Sequence, residues 1–409
     1  MPARLKTAEW LALPGIQAVF DAVEQEGDAA RAVGGAVRNT LLERPVHDVD
    51  IATTALPEVI VDRAKRAGLK AVPTGIDHGT VTVISDGFGY EVTTLRADVE
   101  TFGRQAKVRF GRSWEEDARR RDFTMNALYC DRSGEIFDPL DGLPDCLSGR
   151  VRFIGDPNQR IREDYLRILR FFRIHGMYGN GEPDRAGLLA CVQEREGLRS
   201  LSAERIGMEM KRLVTAPLAA RCVELMENHG LLEIVTGGVA RLVDFKAFRD
   251  LSGVADEVNQ APLAFAALAG FIDEDMDRLA DRFRMSNAER NRMHCSLSAM
   301  KSVSTLAGTA TDTDVRRLLF HHGRQGAVDG TLLAWAVQEH GSDPAFYPGL
   351  LERLRKFSVP VFPLKGKDLI DAGLRPGPEI GHQLKFLQSR WEASGYQLGR
   401  AELMGDLKQ

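Results

Sequence analysis

The pattern of apolar residues changes near Asp141, and this change limits how the chain can fold. Between Ala29 and Pro139, short apolar runs typical of strands alternate with helical segments. Beyond Asp141 the strand signals fade, and helical periodicity continues to the end of the 409 residues. Because a single hydrophobic core stops growing at about 250–300 residues, we expect more than one domain. The predicted fold class is α+β, a head with a mixed sheet followed by an all-α remainder.

Apolar runs bounded by turn residues predict the secondary structure of the head. Its strands are expected at Ala32–Val33, Val49–Thr53, Thr80–Ser85, Tyr90–Leu95, Ala127–Cys130 and Glu135–Phe137, and its helices at Ala36–Leu42 and Pro57–Ala67. The stretch from Ala97 to Ser113, with glycine, arginine and few large apolar residues, predicts a mobile basic loop. Further helices are expected at Pro157–His175, Ala203–Val214, Leu218–His229, Leu263–Ile272, Ala288–Val303, Thr313–His322, Leu332–His340 and Pro378–Ser394.

Charge and cysteine content narrow the class of protein. The formal net charge is −4, so any contact with a nucleic acid has to use a local basic face. Two segments, 104–121 and 150–173, each carry seven basic residues against three acidic ones. The five cysteines lack a C-x-x-C spacing, and no run approaches about 18 apolar residues. We therefore expect a cytoplasmic protein with no membrane partner.

A motif with two aspartates suggests a metal site. Asp48 and Asp50 stand two apart, so in the strand predicted here their carboxylates share one face. Paired carboxylates suit Mg²⁺, which also prefers phosphate oxygens. Upstream, Gly34 and Gly35 allow a tight turn close to a ligand, and Arg38 can reach phosphate oxygens. Taken alone, the two aspartates could be a solvated surface pair and the two glycines an ordinary turn. Together with the arginine, in this order, they indicate a site for a nucleoside triphosphate bound with metal.

A second motif, IREDYLRILRFFR, predicts an amphipathic helix. Its polar side carries Asp164, Arg167, Arg170 and Arg173, and Asp164 and Arg167 stand three apart, so their heads can lie side by side. A carboxylate accepts from an exocyclic amine and a guanidinium donates to a ring nitrogen or carbonyl, which matches the base edges of cytosine and adenine. Guanine and uracil present the opposite polarity. A surface ion pair is the alternative.

Four more residues are candidates for the same site. The segment RRDFTMNALY contributes Arg121, Asp122 and Asn126, a cation, an acceptor and an amide suited to ribose and phosphate. A capped helix with a surface charge cluster is the alternative for these three residues. Glu91, in YEVTTLR, could be a third carboxylate that binds metal or activates a hydroxyl. An exposed strand glutamate is the alternative.

Taken together, these motifs resemble the class II tRNA nucleotidyltransferases, the bacterial CCA-adding enzymes and their poly(A) polymerase relatives. The matching stretches are GGAVRN, DVDIATT, YEVTTLR, RRDFTMNALY, FDPLDG, IREDYLRILRFFR, LSAERIGMEMKRL and a late GLRPGPEIG run. The resemblance implies a polymerase-beta-like nucleotidyltransferase head at residues 1–140. A helical neck at 141–215, a helical body at 216–305 and a tRNA-binding helical tail at 306–409 would follow.

The resemblance also implies a role for each matching residue. Asp48 and Asp50 would hold Mg²⁺, and Gly35 and Arg38 would contact the triphosphate. Arg121 and Asp122 would contact the ribose side of the nucleotide. Asp164 with Arg167 would form the protein template for C and A. Arg170 and Arg173 would complete the nucleotide site. Relatives usually have aspartate where this chain has Asn39, which leaves the role of that position open.

The activity implied is addition or repair of the 3′-terminal CCA of tRNA by two-metal nucleotidyl transfer from CTP and ATP. The expected partners are the tRNA 3′ acceptor end and the two nucleotides, with no protein partner evident. A poly(A) polymerase, or an enzyme adding only CC or only A, would need the same template pair. A non-catalytic RNA-binding homologue is the alternative from another class.

Overall fold

The computed structural model describes residues 4–5, 8–102, 105–306, 308–338, 343 and 345–408. The chain forms two compact units, residues 1–235 and residues 236–409. The four-part division expected from the sequence, with borders after residues 140, 215 and 305, stays a prediction.

The first unit contains the strands of the head. In the described residues these are β1 (Ala30–Val33), β2 (Asp50–Thr53), β3 (Lys70–Gly75), β4 (Thr80–Ser85), β5 (Phe88–Thr94), β6 (Arg96–Phe102), β7 (Gln105–Phe110), β8 (Tyr129–Cys130) and β9 (Ile136–Phe137). Seven of them form one sheet in the order β3-β4-β5-β2-β1-β8-β9, and β6 pairs with β7. The pairing of β2 with β5 is parallel and the other pairings are antiparallel, so the sheet is mixed, as the sequence predicts.

Burial alternates along β4 and most of β5, whereas in β2 only Asp50 is exposed. Ile51 of β2 and Val92 of β5 are buried neighbours in the parallel register, whereas Asp50 and Glu91 are paired one residue earlier on the other face. The hairpin predicted between β4 and β5 turns at Asp86 and Gly87, which both have positive φ. The apolar face thus fixes the register, and the register sets which polar residues lie opposite each other.

Two parts of the head differ from expectation. The stretch 97–113 is not a loop as predicted, because β6 and β7 pair across much of it; Gly103 and Arg104 lie outside the described residues. Backbone hydrogen bonds between two strands need no apolar composition, so the apolar pattern did not predict strands there. The edge strand β3 was not predicted, because its residues are half-buried or exposed and lack an apolar alternation.

Helices make up most of the rest of both units. In the first unit they are α1 (Pro14–Val23), α2 (Gly35–Leu41), α3 (Pro57–Arg66), α4 (Trp114–Arg119), α5 (Leu143–Ser148), α6 (Pro157–Glu163), α7 (Leu166–Tyr178), α8 (Arg185–Gln193), α9 (Ala203–Leu213), α10 (Ala219–Asn228) and α11 (Leu232–Thr236), whose last residue is the first of the second unit. The second unit adds α12 (Leu242–Asp250), α13 (Ala261–Ala269), α14 (Asp273–Arg282), α15 (Asn287–Ser304), α16 (Asp312–Ala336), α17 (Phe346–Lys356), α18 (Gly366–Asp371), α19 (Pro378–Ala393) and α20 (Arg400–Gly405).

The helices expected at Thr313–His322 and Leu332–His340 both fall on α16, in which two helical segments meet at a kink directly after His322. Gly323 supplies the kink with φ 65°, a backbone conformation that favours glycine. The predicted end at His340 lies outside the described residues. No helix in the described ranges has both the length and the apolar character needed to cross a lipid bilayer.

Gly142 provides a test of how the FDPLDG segment supports the site. A Cβ on Gly142 would lie 2.3 Å from the carbonyl oxygen of Thr124, which belongs to the 3-10 turn Thr124–Asn126. We expect Gly142→Ala to lower the unfolding free energy by about 1–3 kcal/mol, because either the turn or the 142 backbone has to shift. Chemical denaturation measures this loss. Gly111→Ala is the matched control, since its Cβ would meet only Glu116 Oε2 at 3.8 Å. Equal stability of the two variants would contradict the contact.

Candidate active site

A glycine turn connects β1 to α2 and forms one wall of the site. Gly34 has φ 72° and ψ −117°, which an L-residue with a side chain rarely adopts. A Cβ on Gly34 would lie 3.7 Å from Nη1 of Arg121, and one on Gly35 would lie 3.9 Å from Nη2 of Arg38. The turn is therefore flanked by two guanidinium groups, which a bulkier residue would crowd.

Three acidic residues lie next to this turn. Asp50 is the first residue of β2 and stands opposite Val33, which directly precedes the glycine turn. On its other side Asp50 stands opposite Glu91 of β5. Asp48 lies two residues before Asp50 in the segment that leads into β2, and all three acidic residues are exposed. The strand predicted from Val49 begins one residue later, so Asp48 lies outside the strand and alternation alone does not orient it.

The three carboxylates influence each other electrostatically. Desolvation by the surrounding protein raises the pKa of Asp50, the charges of Glu91 and Asp48 raise it further, and Arg121 opposes them. The Asp50 carboxylate is exposed and is still partly desolvated by the surrounding protein. Like charges gathered together are relieved by a divalent cation, and carboxylate oxygens are the ligands that Mg²⁺ prefers. The donor set therefore fits such an ion.

These carboxylates do not form a complete metal cage by themselves. Within the described part of the chain, no group of three or more His, Cys, Asp or Glu side chains is arranged to hold a metal ion. Mg²⁺ usually takes only one or two carboxylates and completes its shell with water and substrate phosphates. The arrangement suits an ion that arrives together with a phosphate-bearing substrate.

The helix predicted at Pro157–His175 is wrong as a single element, because it divides into α6 and α7. Asp164 ends α6 in an extended conformation, with φ −156° and ψ 104°, and its Oδ1 accepts the backbone N–H of Leu166 at 3.2 Å. Aspartate competes for backbone donors in this way at helix ends. Helical periodicity continues across the break, which is why the sequence did not reveal it.

Asp164 and Arg167 therefore do not share the face of one unbroken helix, which their spacing predicted. Asp164 accepts a hydrogen bond from Arg205 of α9 at 2.7 Å. Arg167 is only 7% exposed and donates to Asp122 and to Glu163, both at 2.7 Å. In the described residues, Nη2 of Arg167 has no hydrogen-bond partner, since its bonds are made by Nε and Nη1. The structure places both side chains in fixed positions with limited free donor and acceptor capacity.

The next two arginines on α7 are also paired. Arg170 binds Asp122 at 2.6 Å and Glu209 of α9 at 3.3 Å, and Arg173 donates to the same glutamate. Glu209 is only 4% exposed. Burial raises the pKa of Asp122, but Arg170 and Arg167 outweigh burial and hold it below its usual value. The structure thus brings Asp122, Arg167, Arg170 and Arg173 into one ion-pair network.

Sequence reasoning missed Arg205 and Glu209 as members of this network. Both lie in LSAERIGMEMKRL and stand four apart on α9, so they share a helix face. A signal was present, since Glu209 adjoins the buried Met210 on an amphipathic helix, where a glutamate needs a partner. The sequence alone could not identify that partner, because α7 and α9 are separated by the length of another helix.

Arg121 is held by a third residue that the sequence did not single out. Asp117 of α4 is only 1% exposed in its side chain and accepts from Arg121 at 3.2 Å and from the Tyr129 hydroxyl at 2.7 Å. Burial raises the pKa of Asp117, but the charges of Arg121 and Arg120 outweigh burial and hold this pKa below its usual value. Burial raises the pKa of Tyr129, so its hydroxyl stays protonated and serves as a donor. Arg121 is therefore fixed beside the glycine turn.

Arg38 is bound differently, because its partners are neutral. It donates to the side-chain oxygens of Asn39 (2.9 Å from Nη2) and Asn126, and to the hydroxyl of Tyr178 (2.7 Å). Asn39 in turn donates to the carbonyl of Pro45 at 2.8 Å. The predicted site residue Asn126 is thus brought to Arg38. Asn39, whose role the sequence left open, accepts a hydrogen bond from the same guanidinium.

Comparisons with known proteins identify the family of this chain. Residues 30–152 match the family described as the Poly A polymerase head domain, and residues 186–241 match the probable RNA and SrmB-binding site of polymerase A. The chain is 31% identical to CCA tRNA nucleotidyltransferase 1, mitochondrial, of Mus musculus, over 99% of this chain and 93% of the relative. It is also 31% identical to the CCA-adding enzyme of Limosilactobacillus fermentum, with 90% of each chain covered.

A solved structure extends the likeness to three dimensions. The Bacillus stearothermophilus CCA-adding enzyme in complex with CTP is 29% identical and has a TM-score of 0.74, covering 93% of this chain and 94% of that one. These comparisons confirm the resemblance seen in the motifs and the fold class, an α+β head followed by helices.

The cluster around Asp50 predicts a pH-dependent cost in stability. Because the pKa of Asp50 is raised on folding, the folded protein binds this proton more tightly than the unfolded chain, and stability falls as pH rises through the raised pKa. Asp50→Asn should therefore raise the unfolding free energy at about pH 8 by up to about 1 kcal/mol, a small effect because the group is exposed. At about pH 4, near the ordinary pKa of an aspartate, we expect the gain to shrink.

Chemical denaturation of both proteins at the two pH values measures the difference. Asp62→Asn, an exposed aspartate of α3 outside the cluster, is the matched control. An Asp50→Asn protein that is less stable than the unaltered protein at the higher pH would contradict the proposed repulsion.

Proposed function

Because the chain belongs to the family of CCA-adding tRNA nucleotidyltransferases, we propose that it adds or repairs the 3′-terminal CCA of tRNA from CTP and ATP. In this reaction the 3′-hydroxyl of the RNA attacks the α-phosphorus of the nucleotide, a phosphodiester bond forms and pyrophosphate leaves. One observation carries the proposal: the exposed carboxylates of Asp48, Asp50 and Glu91 gather beside a glycine turn flanked by Arg38 and Arg121.

The acidic residues would hold the metal that such a transfer uses. Nucleotidyltransferases of this family generally use divalent metal ions, and we propose Mg²⁺, held by Asp48 and Asp50. When bound, such ions lower the pKa of the attacking hydroxyl and neutralise charge on the triphosphate. Glu91, opposite Asp50 in the parallel register, adds negative charge at the same place and is available as a further acceptor.

The cationic residues would orient the nucleotide. Gly35 gives the phosphates close access to the backbone, Arg38 and Arg121 supply positive charge at the turn, and Asn126 holds Arg38. Asp122 acts through Arg167 and Arg170, whose guanidinium groups it fixes. Arg173 is proposed to complete the nucleotide site from the next turn of α7. Positioning and charge neutralisation of this kind supply most of the catalysis in phosphoryl chemistry.

Base selection is proposed to use Asp164 and Arg167. The carboxylate accepts from the exocyclic amine of cytosine or adenine, and the guanidinium donates to the neighbouring ring acceptor. Guanine and uracil would place a carbonyl oxygen against the carboxylate and a ring N–H against the guanidinium, so neither hydrogen bond could form. Because Arg205 holds Asp164, and because Asp122 and Glu163 hold Arg167, neither side chain can turn to accommodate them.

A poly(A) polymerase is the second candidate, since residues 30–152 match a head domain described for that activity. The two candidates differ in the length and composition of the product. The test incubates the protein with Mg²⁺, tRNA lacking its 3′ end, and each labelled nucleotide separately and then together. Addition of two C residues and one A, followed by arrest, supports the proposal; long adenosine tails favour the second candidate, and C alone or A alone indicates a partial enzyme.

The proposed setting of the reaction is the cytoplasm, as the sequence predicts. The relative from Mus musculus is named as a mitochondrial protein, so the family itself does not decide the location. Subcellular fractionation with detection of the chain tests this prediction.

Replacing the paired aspartates should remove all transfer. Asp48→Ala and Asp50→Asn each delete a carboxylate proposed to hold the metal, so we expect incorporation of C and of A to fall by at least about a thousandfold. Incorporation of labelled nucleotide into truncated tRNA measures the loss. Asp62→Ala, on the exposed face of α3, should keep full activity. Substantial residual transfer in Asp50→Asn would exclude this residue as a metal ligand.

Replacing the template aspartate should change base choice more than rate. Asp164→Ala removes the acceptor for the exocyclic amine, so we expect the preference for CTP over UTP to fall by roughly tenfold to a hundredfold. The measurement is kcat/KM for each of the four nucleotides. Glu115→Ala, which changes an exposed residue of α4 that pairs with Arg119, is the control. An unchanged ratio of CTP to UTP would exclude Asp164 from base recognition.

A further inference from the structure

The guanidinium of Arg38 is buried without a carboxylate partner. It is 7% exposed, and among the described residues its side-chain hydrogen bonds go to Asn39, Asn126 and Tyr178, all of which are neutral. Four of its five N–H donors are used in these bonds, which leaves one N–H on Nη1. A buried positive charge without a counter-charge costs free energy, so an anion that reaches this group is bound more strongly than it would be by a paired arginine.

The other arginines of the site differ in this respect. Arg121 is paired with Asp117, Arg167 with Asp122 and Glu163, and Arg170 and Arg173 share Glu209. Their charges are therefore largely compensated within the protein. Arg38 stands next to Gly35, on the turn where the proposed triphosphate would lie, and it carries the positive charge that the protein itself does not neutralise.

Tyr178 makes two different contacts with this guanidinium. Its ring lies under the group, with the Arg38 Cζ 3.7 Å from the ring centroid, and its hydroxyl accepts from Nη2 at 2.7 Å. The tyrosine is itself restrained, because Arg44 packs on the same ring at 5.0 Å and donates to the carbonyl of Met177. A cation over an aromatic face is stabilised without losing its charge.

Tyr178 is the last residue of α7, the helix whose second residue is Arg167. The eleven-residue separation corresponds to about 16 Å along the helix axis. One helix therefore carries the proposed base-reading arginine near its first turn and contacts the proposed phosphate-binding arginine from its last residue.

We propose that Tyr178 is a positioning residue that holds the Arg38 guanidinium at the glycine turn as an uncompensated cation for the triphosphate. This inference rests on the proposed function, and it adds a residue that does not touch the nucleotide. In this chain the partners of Arg38 are neutral, including Asn39, where relatives usually have aspartate, so they do not cancel the charge offered to the phosphates.

The first test separates positioning of the phosphates from general stability. Tyr178→Phe keeps the ring under Arg38 and removes only the hydroxyl, so we expect the Kd for CTP to rise roughly fivefold while the Kd for CMP stays the same. Isothermal titration of the full chain with each nucleotide, in Mg²⁺ and without RNA, measures both constants. In turnover the same variant should raise KM for CTP and ATP by equal factors, since Arg38 does not contact the base.

The second test changes charge and not shape. Asn39→Asp places a carboxylate where the Arg38 guanidinium already donates at 2.9 Å, so we expect weaker binding of CTP, with little effect on CMP and a melting temperature that is unchanged or higher. Tyr347→Phe, in the second unit, is the matched control and should leave both constants unchanged.

The outcomes separate the inference from the function it rests on. CTP binding that is unaltered in Tyr178→Phe, or losses in that variant that are equal for CTP and CMP, overturns the role of Tyr178. If Tyr178→Phe fails to fold, the ratio of the Kd for CTP to the Kd for CMP in Asn39→Asp tests the inference instead. An unaltered protein that binds CTP yet extends no tRNA overturns the proposed function, while the binding ratio, measured without turnover, still tests the inference.

Discussion

The carboxylate of Asp122 joins the sheet side of the site to α7, the helix that carries the proposed base-reading arginine Arg167. It accepts from Arg167 and Arg170 at 2.7 and 2.6 Å, and both guanidinium groups are removed from most of the solvent. Taking such charges out of water costs several kcal/mol each unless their partners are well placed. Asp122 therefore constrains α7 to one position. On the apolar side Phe171 of α7 packs on Phe153, with ring centroids 5.6 Å apart, and supports the same position.

Pairing of charges separates the residues that build this site from those available to a ligand. Asp117, Asp122 and Glu209 are buried or nearly buried, and each is bound by two arginines. The exposed carboxylates beside β2 repel each other, and Arg38 has only neutral partners among the described residues. A cleft that keeps uncompensated charges of both signs is suited to a ligand that brings both a cation and an anion. A triphosphate with its metal is such a ligand.

The sequence predicted those parts of the site that depend on local chemistry. The glycine turn requires a positive φ at Gly34, the Asp-x-Asp pair leads into a strand, and the hairpin between β4 and β5 follows from its turn residues. Contacts between distant segments were not predictable, because nothing near Asp164 in the sequence indicates Arg205. The break in the helix was hidden for a related reason. The apolar stripe continues through it, and only the tertiary partner makes the extended conformation of Asp164 favourable.

This break changes how selection of a base without a nucleic-acid template can work. On an unbroken helix with an open polar face, as the sequence suggested, both side chains would be mobile and could rotate to suit any base. In the structure Asp164 is held by Arg205, and Arg167 is held by Asp122 and Glu163, so the polarity of each group is fixed in space. A base with the opposite polarity would leave these groups without hydrogen-bond partners in a partly desolvated site. The free-energy cost of leaving them unpaired discriminates against such a base more strongly than the loss of a favourable contact alone. The proposed discrimination therefore depends on the rigidity of the pair, and the ion pairs that restrict Arg167 are part of the selection.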